Sequence, residues 1–425
     1  MILRVVAIAT TVFVVLFAYA FYTPLPAGLE DRYRAMLVIG LSKMFVVKPF
    51  QLAEWLGYGS VFENVEMLQQ EVDLSVPPMT ASFGDLDVSR DKIAGLDVMI
   101  YRPKDVLPGE LLPGLLFFHG GGWIIGNIDM YDWTVHDFAN CTRKVTISVN
   151  YRLAPKNPFP APFQDCFDVT SHVLKHGKKL GIDVNRVGVA GDSSGGTLAV
   201  AVALKLRDEK DSKLPPLKYQ VLIYPALQAH DFRLPSYLEL GEIMLFPSSL
   251  QMAANWAFYL GLDPTKINKY AALMKYNHHV PPHLLTDSKY AKYLDLKNLP
   301  EEFRKPRPEV MDNIATLKDP DETVSYDTEL YDQIKEKITN PLFAPLMADD
   351  LSGLPSTLLL IVEFDVLRDD GLLFAHRLRE AGVKTDVYLS KGHHAEFLHL
   401  LPQYWHSKTA ERSLNAMCKF IKENE

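Results

Sequence analysis

An α/β architecture is what the order of elements in this chain predicts: a mostly parallel, doubly wound sheet interrupted by a helical insertion. Three observations carry the prediction. From about residue 96, short runs of strand length alternate with helical stretches. Several of the runs are apolar throughout, as strands covered on both faces must be. The rhythm then stops between about residues 227 and 343, a stretch too long for an ordinary loop.

The strand runs are Val98 to Tyr101, Leu115 to Phe118, Val145 to Val149, Val187 to Ala190, Gln220 to Tyr224, Leu358 to Val362 and Val387 to Leu389. Helical patterning fits between them over Phe163 to His176, Thr197 to Arg207 and Gly371 to Ala381. The insertion is aromatic and punctuated by proline, with Trp256, Phe258, Tyr259, Tyr270, Tyr276 and Pro281-Pro282. Placed after a sheet strand it overhangs the carboxyl edge, where α/β sheets bind ligands, and reads as a lid over an apolar pocket. Upstream, Met36 to Val47 crowds apolar residues around Lys43, as a helix packed on the body or lying on a membrane surface. The expected divisions are 1–24 (membrane helix), 25–95 (N-terminal helical segment), 96–226 (first part of the core), 227–343 (lid) and 344–425 (second part of the core).

The 425 residues are 48% hydrophobic and 23% charged, which suits a folded globular body. A net charge of -8 with no dominant basic segment gives no footprint for nucleic acid. Cys141, Cys166 and Cys418 show no metal-like spacing; buried small hydrophobes are the expectation, one disulfide the alternative. Val5 to Tyr22 is almost uninterruptedly apolar, long enough to span a membrane as a helix, with Arg4 before it and Glu30 and Asp31 after. Ala18-Tyr19-Ala20 offers the rival reading of a cleaved signal peptide and a secreted product. Either reading sends the body into the secretory lumen, with which the glycosylation sequon at Asn140 (Asn140-Cys141-Thr142) is compatible.

Two motifs carry chemistry. Gly191-Asp192-Ser193-Ser194-Gly195 follows one apolar run and opens a helix, so Ser193 sits on a tight strand-to-helix turn that pushes its hydroxyl outward. His119-Gly120-Gly121-Gly122-Trp123 follows another, and with 24 glycines in the chain it arises by chance only about 0.002 times. Consecutive glycines let backbone N–H groups approach a developing oxyanion; Gly120 and Gly121 are the expected donors, with the N–H of Ser194. A phosphate cradle fits poorly, since neither glycine-rich nucleotide pattern is present.

A nucleophilic serine needs a base and the base an orienting carboxylate, which follow in the order acid, then histidine. Asp365 lies just past the run Leu358 to Val362, with Glu363 its competitor and Asp369 and Asp370 read as caps of the next helix. After Val387 to Leu389 come His393 and His394 side by side, with His399 more distant; the residues alone leave the first two open. No third ligand has suitable spacing, so a metal is not expected.

Together these residues resemble the hormone-sensitive-lipase group of α/β hydrolases, and within it the arylacetamide deacetylase and neutral cholesterol ester hydrolase branch. The likeness runs from about residue 96 to the C-terminus, through HGGGW at 119–123, NYRLAP at 150–155, GDSSGG at 191–196, LIYPALQ at 222–228 and DVLRDDG at 365–371. It implies an α/β-hydrolase fold and a cofactor-free serine esterase, lipase or deacetylase acting on lipophilic esters or amides. It further implies a signal-anchor leaving the body in the endoplasmic reticulum lumen, as a single-pass type II membrane protein. The group's G-x-H-G pattern puts the base on His394, although Ala395 and Glu396 stand where small residues are usual. Ser194 replaces an alanine, and Ile124 and Val362 replace a cysteine pair found in some relatives. The departure beside His394 leaves a catalytically inactive ligand-binding receptor on the same fold as the rival reading.

Overall fold

The computed structural model describes residues 25–26, 28–42, 56–59, 64–67, 69–70, 84–209, 213–241, 248–307, 325–392 and 407–425. The apolar run Val5 to Tyr22, the end of the stretch Met36 to Val47 (residues 43–47), and His393, His394 and His399 therefore fall outside the described residues.

All seven expected strands form: β2 (Leu96–Pro103), β3 (Leu112–Phe118), β4 (Val145–Val149), β5 (Ile182–Asp192), β6 (Tyr219–Ile223), β7 (Ser356–Val362) and β8 (Thr385–Ser390). An eighth, β1 (Leu86–Ile93), precedes them and moves the start of the sheet upstream of residue 96. Its sequence LDVSRDKI is mostly exposed on the sheet edge. Such a charged edge strand carries no apolar run for periodicity to detect. Ala94 and Gly95, both at positive φ, turn it into an antiparallel hairpin with β2. The sheet order is β1-β2-β4-β3-β5-β6-β7-β8. β2 runs antiparallel to β4, and every pairing from β4 through β8 is parallel.

Helices cover both faces, which is why the central strands are apolar at every position. Successive side chains point to opposite faces. Leu115 and Phe117 of β3 pack with Val135 and Phe138 of α2 (Asp132–Thr142) and with Phe420 and Ile421 of α10 (Lys408–Glu423), following α1 (Arg32–Ser42) in chain order. Leu116 and Phe118 on the other side belong to the apolar cluster that also holds α3 (Ala161–His176), α4 (Ser194–Asp208) and α9 (Arg368–Glu380). Between β6 and β7 the insertion is helical, with α5 (Pro235–Leu240), α6 (Ser249–Leu260), α7 (Ile267–Lys275) and α8 (Thr328–Ile338) among short helical turns. Its buried Trp256, Phe258 and Tyr259 belong to the same apolar cluster as α3 and α4, so the cap is seated on the core.

Cys141 at the end of α2 and Cys418 on α10 form a disulfide, with Cα atoms 6.0 Å apart. Only Cys166 is the buried small hydrophobe expected of all three. The pairing depends on α10 lying beside α2, which spacing in the sequence does not reveal. Among the described residues no helix is long and apolar enough to cross a membrane.

Candidate active site

β5 ends at Asp192 and α4 begins at Ser194, leaving Ser193 between them at φ 51° and ψ -117°. A non-glycine residue in that region carries roughly 1–3 kcal/mol of strain and persists only where its surroundings hold it. Here its N–H donates to the Ile223 carbonyl at 2.8 Å, and its own carbonyl accepts from Ala226 N–H at 3.2 Å. Gly191 and Gly195 are required by close approach: a Cβ on either would stand 2.3 Å or less from backbone oxygen or carbon of the neighbouring turn. Ser193 is partly exposed while Asp192 and Ser194 on either side are buried, so the turn lifts the hydroxyl out of the core.

The glycine loop leaves β3, the strand next to β5, on the same carboxyl edge. Gly121 and Gly122 lie at φ 112° and 63°. Their N–H groups and that of Ser194 have no acceptor among the described residues, the state an oxyanion cradle requires. Gly120 corrects the expectation: its N–H donates to Asp192 Oδ1 at 2.7 Å and is not free for substrate. The aspartate within the serine motif captures it, which leaves Gly122 in its place. Asp192 Oδ2 accepts from Tyr131 at 3.0 Å and Tyr224 at 3.5 Å. Burial pushes the Asp192 carboxyl up to about 7.

His119 props the loop from beneath. Its buried ring stacks on Tyr151 with centroids 4.2 Å apart, and Nδ1 lies 2.8 Å from the Gly120 carbonyl, to which it must be the donor. Tyr151 in turn donates to the His119 carbonyl at 2.6 Å. Burial lowers the imidazole to about 4, so it stays neutral. From the N-terminal segment, Gln69 donates to the carbonyls of Ile124 and Ala154 at 2.6 and 2.8 Å, tying the loop exit to the NYRLAP stretch.

Asp365 lies beyond the end of β7, 2% exposed. Oδ1 accepts from Leu367 N–H at 2.9 Å, whereas Oδ2 is buried with no partner among the described residues. Burial pushes its carboxyl up to about 7 against the pull of Arg368. Glu363, the competing acid, engages Arg307 instead. Asp369 and Asp370 do not cap their own helix, whose N-cap is Leu367 with no side-chain cap. Asp369 accepts from Ser236 N–H at 2.7 Å and Asp370 from Leu227 N–H at 3.1 Å, so both fasten the root of the cap. Beside them Arg368 and Arg307 converge on buried Glu239 of α5, with Arg368 over the Phe303 ring and Arg307 over Phe364. Sequence reasoning missed Asp192, Tyr131 and Tyr151; the first and last were visible as members of the motifs. His393 and His394 lie outside the described residues, and among those described no three His, Cys, Asp or Glu side chains converge as metal ligands.

Comparison with known proteins agrees with this geometry. A family model for the alpha/beta hydrolase fold matches residues 115–297 and 294–399. The chain is 34% identical over 422 residues to arylacetamide deacetylase of Oryctolagus cuniculus, covering 96% of this chain and 97% of that one. It is 33% identical to the Bos taurus protein of the same name, with the same coverage. An esterase from the archaeon Pyrobaculum calidifontis superposes with TM-score 0.55 at 25% identity, over 85% of this chain and 88% of that one. The chain therefore belongs to the arylacetamide deacetylase family of α/β hydrolases and is, by that membership, a carboxylesterase.

Proposed function

We propose that Ser193, His394 and Asp365 act as nucleophile, base and orienting acid in a two-step acyl transfer. His394 takes the Ser193 hydroxyl proton as Oγ attacks the ester or amide carbonyl carbon. The resulting oxyanion rests on the N–H groups of Gly121, Gly122 and Ser194. Collapse breaks the bond to the leaving oxygen or nitrogen, which departs with the proton from His394. A water, deprotonated by His394, then attacks the acyl-enzyme and frees the acid, returning the proton to Ser193. Asp365 Oδ2, buried and unpartnered among the described residues, is available to hold the imidazole. The observation that carries the reading is Ser193 held at φ 51° beside a glycine loop with two N–H groups that have no partner among the described residues.

The substrate class is a lipophilic ester or acetylated arylamide. Its support is the aromatic cap and the relatives named arylacetamide deacetylases. The proposal extends to location: the endoplasmic reticulum lumen, with residues 5–22 as the anchor. The Cys141–Cys418 disulfide supports an oxidising compartment, and the exposed Asn140 is open to a glycan.

Labelling with a fluorophosphonate tests the nucleophile: wild type is labelled and Ser193→Ala is not, and equal labelling would remove the triad reading. His393→Ala and His394→Ala, assayed separately, test the base. Full activity in the second variant would refute His394.

A further inference from the structure

Helix α6 of the cap carries one side chain that its surroundings do not explain. Every residue from Met252 to Leu260 is buried, and all but one are apolar or aromatic. The exception is Asn255, 7% exposed. Its Oδ1 is buried without a hydrogen-bond partner, and its carboxamide makes no hydrogen bond to any described residue. A buried amide oxygen without a partner is destabilising relative to an apolar group of the same shape, which this helix would otherwise favour.

The carboxamide is not remote from the chemistry. It lies against Gly122, where an added Cβ would stand 2.1 Å from Asn255 Nδ2 and 2.6 Å from Cγ. The absence of a side chain at 122 is thus what lets the cap reach the main chain of the oxyanion loop. The next turn fixes the contact: Trp123 stacks on Tyr259 of the same helix with centroids 4.4 Å apart and planes within 2°. Asn255 is therefore held rigidly at the edge of the cradle with its hydrogen-bonding capacity unused.

We infer that Asn255 is a substrate-contacting residue, whose Nδ2 donates to the substrate carbonyl oxygen as it becomes an oxyanion. It supplements the N–H groups of Gly121, Gly122 and Ser194. The inference rests on the acyl-transfer reading of Ser193. On this view the cap completes the catalytic machinery as well as lining the pocket, and Nδ2, which makes no hydrogen bond to a described residue in the resting enzyme, gains its acceptor only when a carbonyl arrives.

The test is steady-state hydrolysis of p-nitrophenyl acetate by wild type, Ser193→Ala, Asn255→Leu and Asn255→Ala, with thermal melting of each. Leucine keeps the packing and removes the amide. Asn255→Leu is expected to melt at or above the wild-type temperature while kcat falls about a hundredfold with KM nearly unchanged, the pattern of a contact made only in the transition state. Asn255→Ala should lose kcat similarly but melt lower, and it keeps the question answerable if leucine does not fold. A folded variant whose kcat stays within about threefold of wild type, or whose loss lies in KM alone, overturns the inference. If Ser193→Ala is inactive in the same assay, only the role of Asn255 falls. If Ser193→Ala hydrolyses like wild type, the nucleophile reading and this inference fall together.

Discussion

The two halves of the active site are held by different physics. On the β3 and β5 side, position is set by main chain: glycines that admit no Cβ, a strained serine, and an aspartate whose oxygens are all engaged. On the β7 side, position is set by side chains, through Arg368, Arg307, Glu239 and Asp369 packed between cap and acid loop. Asp192 and Asp365 make the contrast sharp. Both are fully buried and both are pushed up to about 7 by that burial. Asp192 is saturated by Gly120, Tyr131 and Tyr224, whereas Asp365 keeps one oxygen unpartnered among the described residues. Equal burial with unequal satisfaction separates a carboxylate that builds the site from the one proposed to work in it.

Substituting these two residues should break the symmetry between them. Asp365→Asn is expected to lower kcat/KM by about 10⁴-fold with little change in melting temperature, because in the proposed mechanism its carboxylate orients the base. A loss below tenfold would remove it from the triad. Gly120→Ala comes next: the new Cβ would meet Asp192 Oδ2 at 2.3 Å, so hydrolysis should fall about a hundredfold through a displaced oxyanion loop. Unimpaired turnover would show that the Gly120–Asp192 contact does not position it. Cys418→Ser should cost about 2–4 kcal/mol in chemical denaturation, and dithiothreitol should lower wild type alike while leaving the variant unaffected. The smallest effect is in pH. The unfolded Asp192 ionises near 3.8 and the folded one near 7, so between these values the folded state holds a proton that the unfolded chain has released. Stability therefore falls as pH rises from about 4 to 7. Wild type should lose melting temperature relative to Asp192→Asn between pH 5 and pH 7.5; a difference that stays constant, or shifts in favour of wild type, would place the Asp192 carboxyl in the ordinary range.

What could be read in the sequence follows the same division. Ser193, the glycine loop and seven strands were legible, because main-chain constraints are written in consecutive residues. The edge strand β1 was not, since its alternation is between polar side chains. Gly120, one of the two glycines expected as oxyanion donors, was misread, because only the folded state shows Asp192 occupying its N–H. Asp369 and Asp370 looked like helix caps from their spacing, yet their partners Ser236 and Leu227 lie more than a hundred positions away. Asn255 left no signal at all, for an asparagine in an apolar helix gains meaning only from the glycine it touches.

The bond between Cys141 and Cys418 spans 277 positions. It turns most of the body into one covalent ring that contains Ser193, the cap and Asp365. A protease that cuts any loop within that ring opens it without releasing a fragment. The clipped chain would migrate near full length on a non-reducing gel and separate into two pieces once thiol is added. A single surface nick therefore need not end the life of the enzyme, because the cut halves of the ring stay joined while they remain folded together.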